Sequence, residues 1–254
     1  MAAGHVHKLY RHGHSPVHRL PAHVKVVTLL AFVIAVVATP REAFWAFGVY
    51  AALLVTVAFI ARVPGTFILR RMVVEIPFVV FALLLPFIAG GERVDVLRLS
   101  LSQEGLLAGW NILAKGTLGV VASILLAATT DARALLLALQ RLRVPPVLVE
   151  ITSFMVRYAD VITDEMRRMK IARESRGFVG GSRKQLGVVA ASAGALFIRS
   201  YERGERVHLA MLSRGYAGQL PVLEVQTAAA VQWAGAALLP ITALIVSVVA
   251  WITL

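Results

Sequence analysis

The sequence predicts an all-α polytopic membrane protein with about five transmembrane helices and a cytoplasmic domain of long amphipathic helices. Three observations lead there. Of the 254 residues 58% are apolar and the mean hydropathy is +0.76, whereas soluble domains are about 45–50% apolar. Several apolar runs approach the ~20 residues that cross a bilayer. A basic stretch from Thr130 to Val225 has helical periodicity without membrane-like hydropathy, and it separates the last apolar run from the others.

Residues 1–23 form a basic, histidine-rich tail. Residues 24–129 form a membrane domain of about four spans: Val24 to Thr39, Phe44 to Ala61, Met72 to Ala89 and Leu106 to Thr129. Pro77 and Pro86 interrupt the third, which a membrane helix tolerates when neighbours satisfy the released backbone groups. Residues 130–225 are the cytoplasmic domain, and residues 226–254 hold a last span, Thr227 to Leu254, with Pro240 inside. A secretory signal peptide is not expected, because the basic region before the first apolar stretch is long.

The net charge of +12 fits this topology without nucleic acid as a partner, since Lys and Arg collect in cytoplasmic loops. With the N-terminus inside, the inner segments hold Lys8, Arg11, Arg19 and Lys25, then Arg62, Arg70 and Arg71, then fifteen more between Thr130 and Val225. The outer loops hold Arg41, Arg93 and Arg98. The expected location is the cell membrane, with the N-terminus and the long basic domain in the cytoplasm. The absence of cysteine excludes disulfides and thiolate metal sites.

Within the cytoplasmic domain, Asp131 to Arg143 reads as an amphipathic helix stopped by Pro145-Pro146. Val147 to Arg176 reads as a second, with Val147, Ile151, Phe154, Tyr158, Ile162, Met166 and Met169 stepping by three and four. Arg173 and Arg176 continue that stripe where the apolar face ends. Leu186 to Arg214 reads as a third, and each long helix would extend ~40 Å at 1.5 Å per residue. They are expected to pack on one another and on the membrane face. Both close on the same phrase, Ser-Arg-Gly-aromatic-x-Gly: Ser175-Arg176-Gly177-Phe178-Val179-Gly180 and Ser213-Arg214-Gly215-Tyr216-Ala217-Gly218. Gly177 and Gly215 suit the left-handed residue that ends many helices. The preceding arginine then lies near the negative end of the helix dipole, with a guanidinium able to grip a carboxylate at two points. A surface arginine beside a capping glycine is common; two copies with matching flanks point to docking.

Carrying these paired motifs on this layout, the chain resembles the transmembrane T component of energy-coupling factor (ECF) transporters, in its cobalt-type (CbiQ-like) branch. That family's motif is usually Ala-Arg-Gly, so Ser175 and Ser213 depart from it. The stretch from His14 through Pro16 and His18 to Pro21 resembles the opening of the cobalt-type subunits. The resemblance implies a partnership with two ABC-type ATPase subunits and a substrate-binding membrane subunit. It places ATPase docking at Ser175, Arg176, Gly177, Ser213, Arg214 and Gly215, with Arg173 beside them. It implies cobalt, or nickel, as cargo, or else a vitamin. No cofactor is expected on this chain, because no G-x-x-x-x-G-K-[ST] phosphate loop occurs; Gly180-Gly181-Ser182 lacks that spacing. ATP would be used by the partners, and the chain is not expected to be an enzyme.

His5, His7, His12 and His14 form two His-x-His pairs able to ligate a divalent metal; the plainer reading, which we favour, is an exposed tail. Lys115 lies deep in the fourth span, on the same helix face as Asn111. It could meet another membrane subunit or pair with Glu75, and intramembrane charges are often functional; a bundle-interior pair is the bland alternative. A membrane enzyme acting on lipid phosphates is the competing class. Its expected acidic cluster is represented by Asp160, Asp164 and Glu165, which helix-surface pairing with Arg157, Arg167 and Arg168 explains better.

Overall fold

The computed structural model describes residues 10–90, 93–96, 99–178, 183–218 and 228–253. Among these, one unit comprises residues 10–138 and 228–253, and a second comprises residues 139–178 and 183–218.

The first unit is the membrane bundle. Ser15 caps the short α1 (Pro16–Arg19), accepting from the His18 amide at 3.3 Å, and Pro16 occupies the position where a missing N–H costs nothing. Then follow α2 (Ala22–Ala38) and α3 (Phe44–Ile60). The third span begins earlier than Met72. Pro64 opens α4 (Gly65–Arg71), a 3-10 turn follows at Met72–Glu75, and α5 (Ile76–Ile88) completes a near-continuous helix of 24 residues. Arg70 and Arg71, expected in a loop, lie inside it, and the Arg71 guanidinium sits 3.8 Å over the Phe67 ring. The spans Gly65–Ile88, Gln103–Thr129 and Ala230–Thr253 are long and apolar enough to cross a bilayer, and α2 and α3 are shorter apolar helices.

Between α5 and the next span the otherwise all-helical fold carries a short antiparallel hairpin, β1 (Arg93–Val96) and β2 (Leu99–Ser102). Its sequence alternates polar and apolar residues, the period of a strand. Ser102 ends it and caps α6 (Gln103–Thr129), accepting from the Gly105 amide at 3.2 Å and donating to the Gly90 carbonyl at 2.7 Å. Against α5, α6 approaches very closely. Pro86 has no N–H for the Ala82 carbonyl, and a Cβ on Gly109 would stand 2.7 Å from that oxygen. A Cβ on Gly105 would stand 2.7 Å from the Leu85 carbonyl oxygen, so both positions require the smallest side chain.

The last span, α10 (Ala230–Thr253), closes the bundle on α2 and α3. Tyr50 is fully buried at their junction, where its hydroxyl donates to the Ala243 carbonyl at 3.2 Å and lies 2.8 Å from Thr39 Oγ1. Phe32 and Phe47 stand edge-on to its ring. Trp251 Nε1 donates to the Ala38 carbonyl at 2.9 Å, tying α10 to the end of α2. Outward-facing Ile34, Phe59, Ile88 and Ile252 are exposed, as side chains that meet acyl chains should be.

The second unit is a pair of long helices reached through α7 (Ala132–Arg141), within which the unit boundary falls. Pro146 starts α8 (Pro146–Ser175), and α9 spans Arg183–Leu212. Glu165 of α8 pairs with Arg199 of α9 at 2.7 Å, so its partner lies on the facing helix instead of among the neighbouring arginines of its own. The two helices pack on one another as expected, with Phe154, Tyr158 and Met169 of α8 and Leu196, Val207 and Met211 of α9 half-buried, while other stripe positions stay open. Val147, Ile151, Ile162 and Met166 of α8, and Leu186 and Val189 of α9, remain exposed. Two helices share a single contact line, which is too narrow to cover both stripes.

Candidate docking site at two helix ends

The two Ser-Arg-Gly phrases fold into the same structure. The Arg176 amide donates to the Arg173 carbonyl at 3.1 Å, the Gly177 amide to the Glu174 carbonyl at 3.1 Å, and the Phe178 amide to the Arg173 carbonyl at 3.1 Å. At the second end, Arg214 donates to Met211, Gly215 to Leu212 and Tyr216 to Met211, each at 3.0 Å. Gly177 has φ of +81° and Gly215 of +84°. Both ends carry the long-range closing bond of a Schellman motif, which consumes the last carbonyls of each helix. Only glycine takes this backbone without strain.

The serine hydroxyls also match. Ser175 Oγ donates to the Ala172 carbonyl and Ser213 Oγ to the Ala210 carbonyl, both at 3.0 Å. Each hydroxyl is satisfied within its own helix, so serine can stand where the resembled family has alanine without demanding an outside partner. Arg176 and Arg214 are exposed, and no carboxylate among the described residues pairs with either. Arg173 is half-buried and has no counterpart at the second end, where Met211 holds the equivalent place.

The aromatic position separates the two ends. The Tyr216 hydroxyl donates to Glu150 Oε2 at the start of α8, and its ring meets His208 edge-on at 6.4 Å. The hydrogen bond to the Glu150 carboxylate, with lesser contributions from desolvation and the carboxylate's charge, raises the Tyr216 phenol above its ordinary pKa. Phe178 has no hydroxyl and is 44% exposed. Sequence reasoning missed Glu150 and Tyr216 as a pair; the available signal was tyrosine standing where the first copy has phenylalanine.

The other candidates separate. Lys115 does not reach Glu75. Its ammonium donates to the Val37 carbonyl at 2.8 Å, at the electronegative end of α2. Glu75, 3% exposed, instead accepts from Thr117 Oγ1. Asn111 Oδ1 is buried with no hydrogen-bond partner among the described residues. His5 and His7 lie outside the described residues. His12 stacks edge-on to Tyr10 at 4.9 Å, and His14 is exposed. His18 is structural: its Nε2 donates to the Arg11 carbonyl at 3.1 Å and its Nδ1 lies 2.7 Å from Ser15 Oγ. Burial chiefly lowers its pKa, which favours that neutral ring. Among the described residues no group of three His, Cys, Asp or Glu could hold a metal. Gly180-Gly181-Ser182 also lies outside them.

Bundle and caps together define a polytopic membrane protein that presents two geometrically equivalent, arginine-bearing helix ends. The chain belongs to the family described as Cobalt transport protein, CbiQ, whose pattern matches residues 13–226, and is thereby a transmembrane component of the energy-coupling factor type. It is 28% identical over 183 residues to Cobalt transport protein CbiQ of Rhodobacter capsulatus, covering 70% of this chain and 74% of that one. It is 26% identical over 224 residues to Energy-coupling factor transporter transmembrane protein EcfT of Bacillus subtilis, covering 82% and 83%. An uncharacterised protein of Methanocaldococcus jannaschii is 26% identical over 215 residues, covering 79% and 71%.

Proposed function

We propose that this chain is the coupling subunit of an ATP-driven cobalt importer, with nickel as the next cargo by chemistry. The observation that carries the reading is the pair of superposable caps that expose Arg176 and Arg214 at two separate helix ends. Each end would seat on one ABC-type ATPase subunit, its guanidinium gripping a carboxylate of the partner. Closure of the ATPases on ATP would then move α8 and α9. The exposed apolar positions of those helices, such as Val147, Ile151 and Met166, offer a surface to a substrate-binding membrane subunit, the component that would read the cargo. The N-terminus and the α8–α9 unit would lie in the cytoplasm and α2 to α6 and α10 in the cell membrane. Hydrolysis belongs to the partners, so this chain works without a catalytic residue or cofactor of its own.

Vesicles holding this chain, its ATPases and the substrate-binding subunit test the reading. ATP should drive cobalt uptake, which should vanish when this chain is omitted. Uptake that persists without the chain, or that ignores ATP, would refute it.

A further inference from the structure

The basic end of the membrane bundle contains a cavity of about 540 Å³, within the ~300–1,000 Å³ typical of ligand sites. Elements α1, α2, α3, α6 and α10 line it. Its walls are largely apolar, with Phe32, Leu54, Val57, Leu125 and Leu239 among them. Among the described residues the charged groups on its lining are Arg19 and Lys25, with no carboxylate beside them. Lys25 is 8% exposed, and its ammonium donates to the Thr129 carbonyl at 2.8 Å, the His18 carbonyl at 3.3 Å and Thr130 Oγ1 at 3.4 Å. These acceptors are all neutral. They fix the cation in place without neutralising it, and a buried charge without a counter-charge is costly. Arg19 is exposed, with no ion pair among the described residues.

An apolar trough beside two unneutralised cations, within a bundle that spans the bilayer, is complementary to an amphiphile with a hydrocarbon tail and an anionic head. We propose that this cavity binds one anionic phospholipid of the surrounding membrane, an acyl chain along the apolar walls and the phosphate at Arg19 and Lys25. Basic pockets between membrane helices recognise lipid headgroups by this charge logic. Gly235 of α10 faces the open space of the trough, where a Cβ would meet no atom within 4 Å and a larger side chain has room to enter. The inference rests on the membrane placement of the bundle and is independent of the transport reading.

Native mass spectrometry of the full chain, released from detergent after incubation with phosphatidylglycerol or with phosphatidylethanolamine of the same acyl chains, tests it. One phosphatidylglycerol should be retained in preference to phosphatidylethanolamine, and glycerol phosphate should not displace it. Arg19→Gln, at an exposed position, should cut the preference about fivefold, the effect of one surface cation. Gly235→Phe should abolish retention while circular dichroism shows unchanged helix content. Equal retention of the two lipids, retention indifferent to both substitutions, or displacement by glycerol phosphate would overturn the proposal. So would a dimer that excludes lipid, because the cavity would then belong to a second copy of the chain.

Discussion

The ends of α8 and α9 share a backbone and differ in how they are held. Each closes with the same three amide bonds, the same left-handed glycine and the same self-satisfied serine. Among the described residues, the second alone is tied back to the start of α8, through Tyr216 and Glu150. The shared part does one job at both ends, which is to stop a helix and present an arginine at its tip. The unshared part is a tether beside the second arginine, through the Tyr216 hydroxyl and the Glu150 carboxylate. The two tips are thus alike in backbone and unlike in tethering.

Reversing one tip charge should produce the largest effect. Arg176→Glu or Arg214→Glu should each weaken ATPase binding by about 2–5 kcal/mol, the cost of breaking one desolvated charge pair at an interface, measurable by titrating ATPase onto the chain in nanodiscs. Similar losses at both ends would confirm equivalent tips; a loss at one end alone would break the symmetry. Next come the glycines. Gly177→Ala or Gly215→Ala should destabilise its own helix end by about 1 kcal/mol, the left-handed penalty of a residue with a Cβ. Hydrogen exchange should quicken at the altered tip and stay unchanged at the other. Arg62 and Arg143, at φ of 54° and 63°, carry that penalty already, so Arg143→Gly should slow exchange at the end of α7.

How much of this was legible depended on the range of the forces involved. Helices α8 and α9 were readable within a few residues because their apolar spacing and flanking prolines and glycines are local signals. The capping glycines were readable for the same reason. The early start of the third span was missed although Pro64 marks it, since Arg70 and Arg71 read as loop until Phe67 is seen beneath a guanidinium. The hairpin alternates visibly over residues 93–96 and 99–102, but each strand is only four residues long. The partners of Lys115, Glu75, Glu165 and Tyr216 were not legible, because each is set by which helix packs opposite and sequence spacing does not encode that. Which stripe positions of α8 and α9 stay exposed was hidden likewise, since periodicity marks an apolar face without naming what covers it.

Two smaller effects sharpen the comparison. Glu165→Gln should loosen the contact between α8 and α9 by about 0.5 kcal/mol, as for a partly exposed ion pair, read as a modest rise in exchange along both helices. Tyr216→Phe should make the second tip exchange like the first without changing its cap. The phenol's pKa is raised in the folded chain, so the stability from this tether is fully present below about pH 10, the ordinary tyrosine value. That stability is lost as pH rises through the elevated value. Ultraviolet difference titration of the parent against Tyr216→Phe should show one phenol ionising later than ordinary tyrosine; coincident ionisation would remove the tether.

The most direct test of the central claim is the affinity of the ATPase for the chain in nanodiscs, parent against Arg176→Glu with Arg214→Glu, with helix content checked by circular dichroism. Loss of binding with the helices intact is the result expected if the two tips are the docking points. Unchanged binding would contradict it and leave the repeated phrase as helix capping alone.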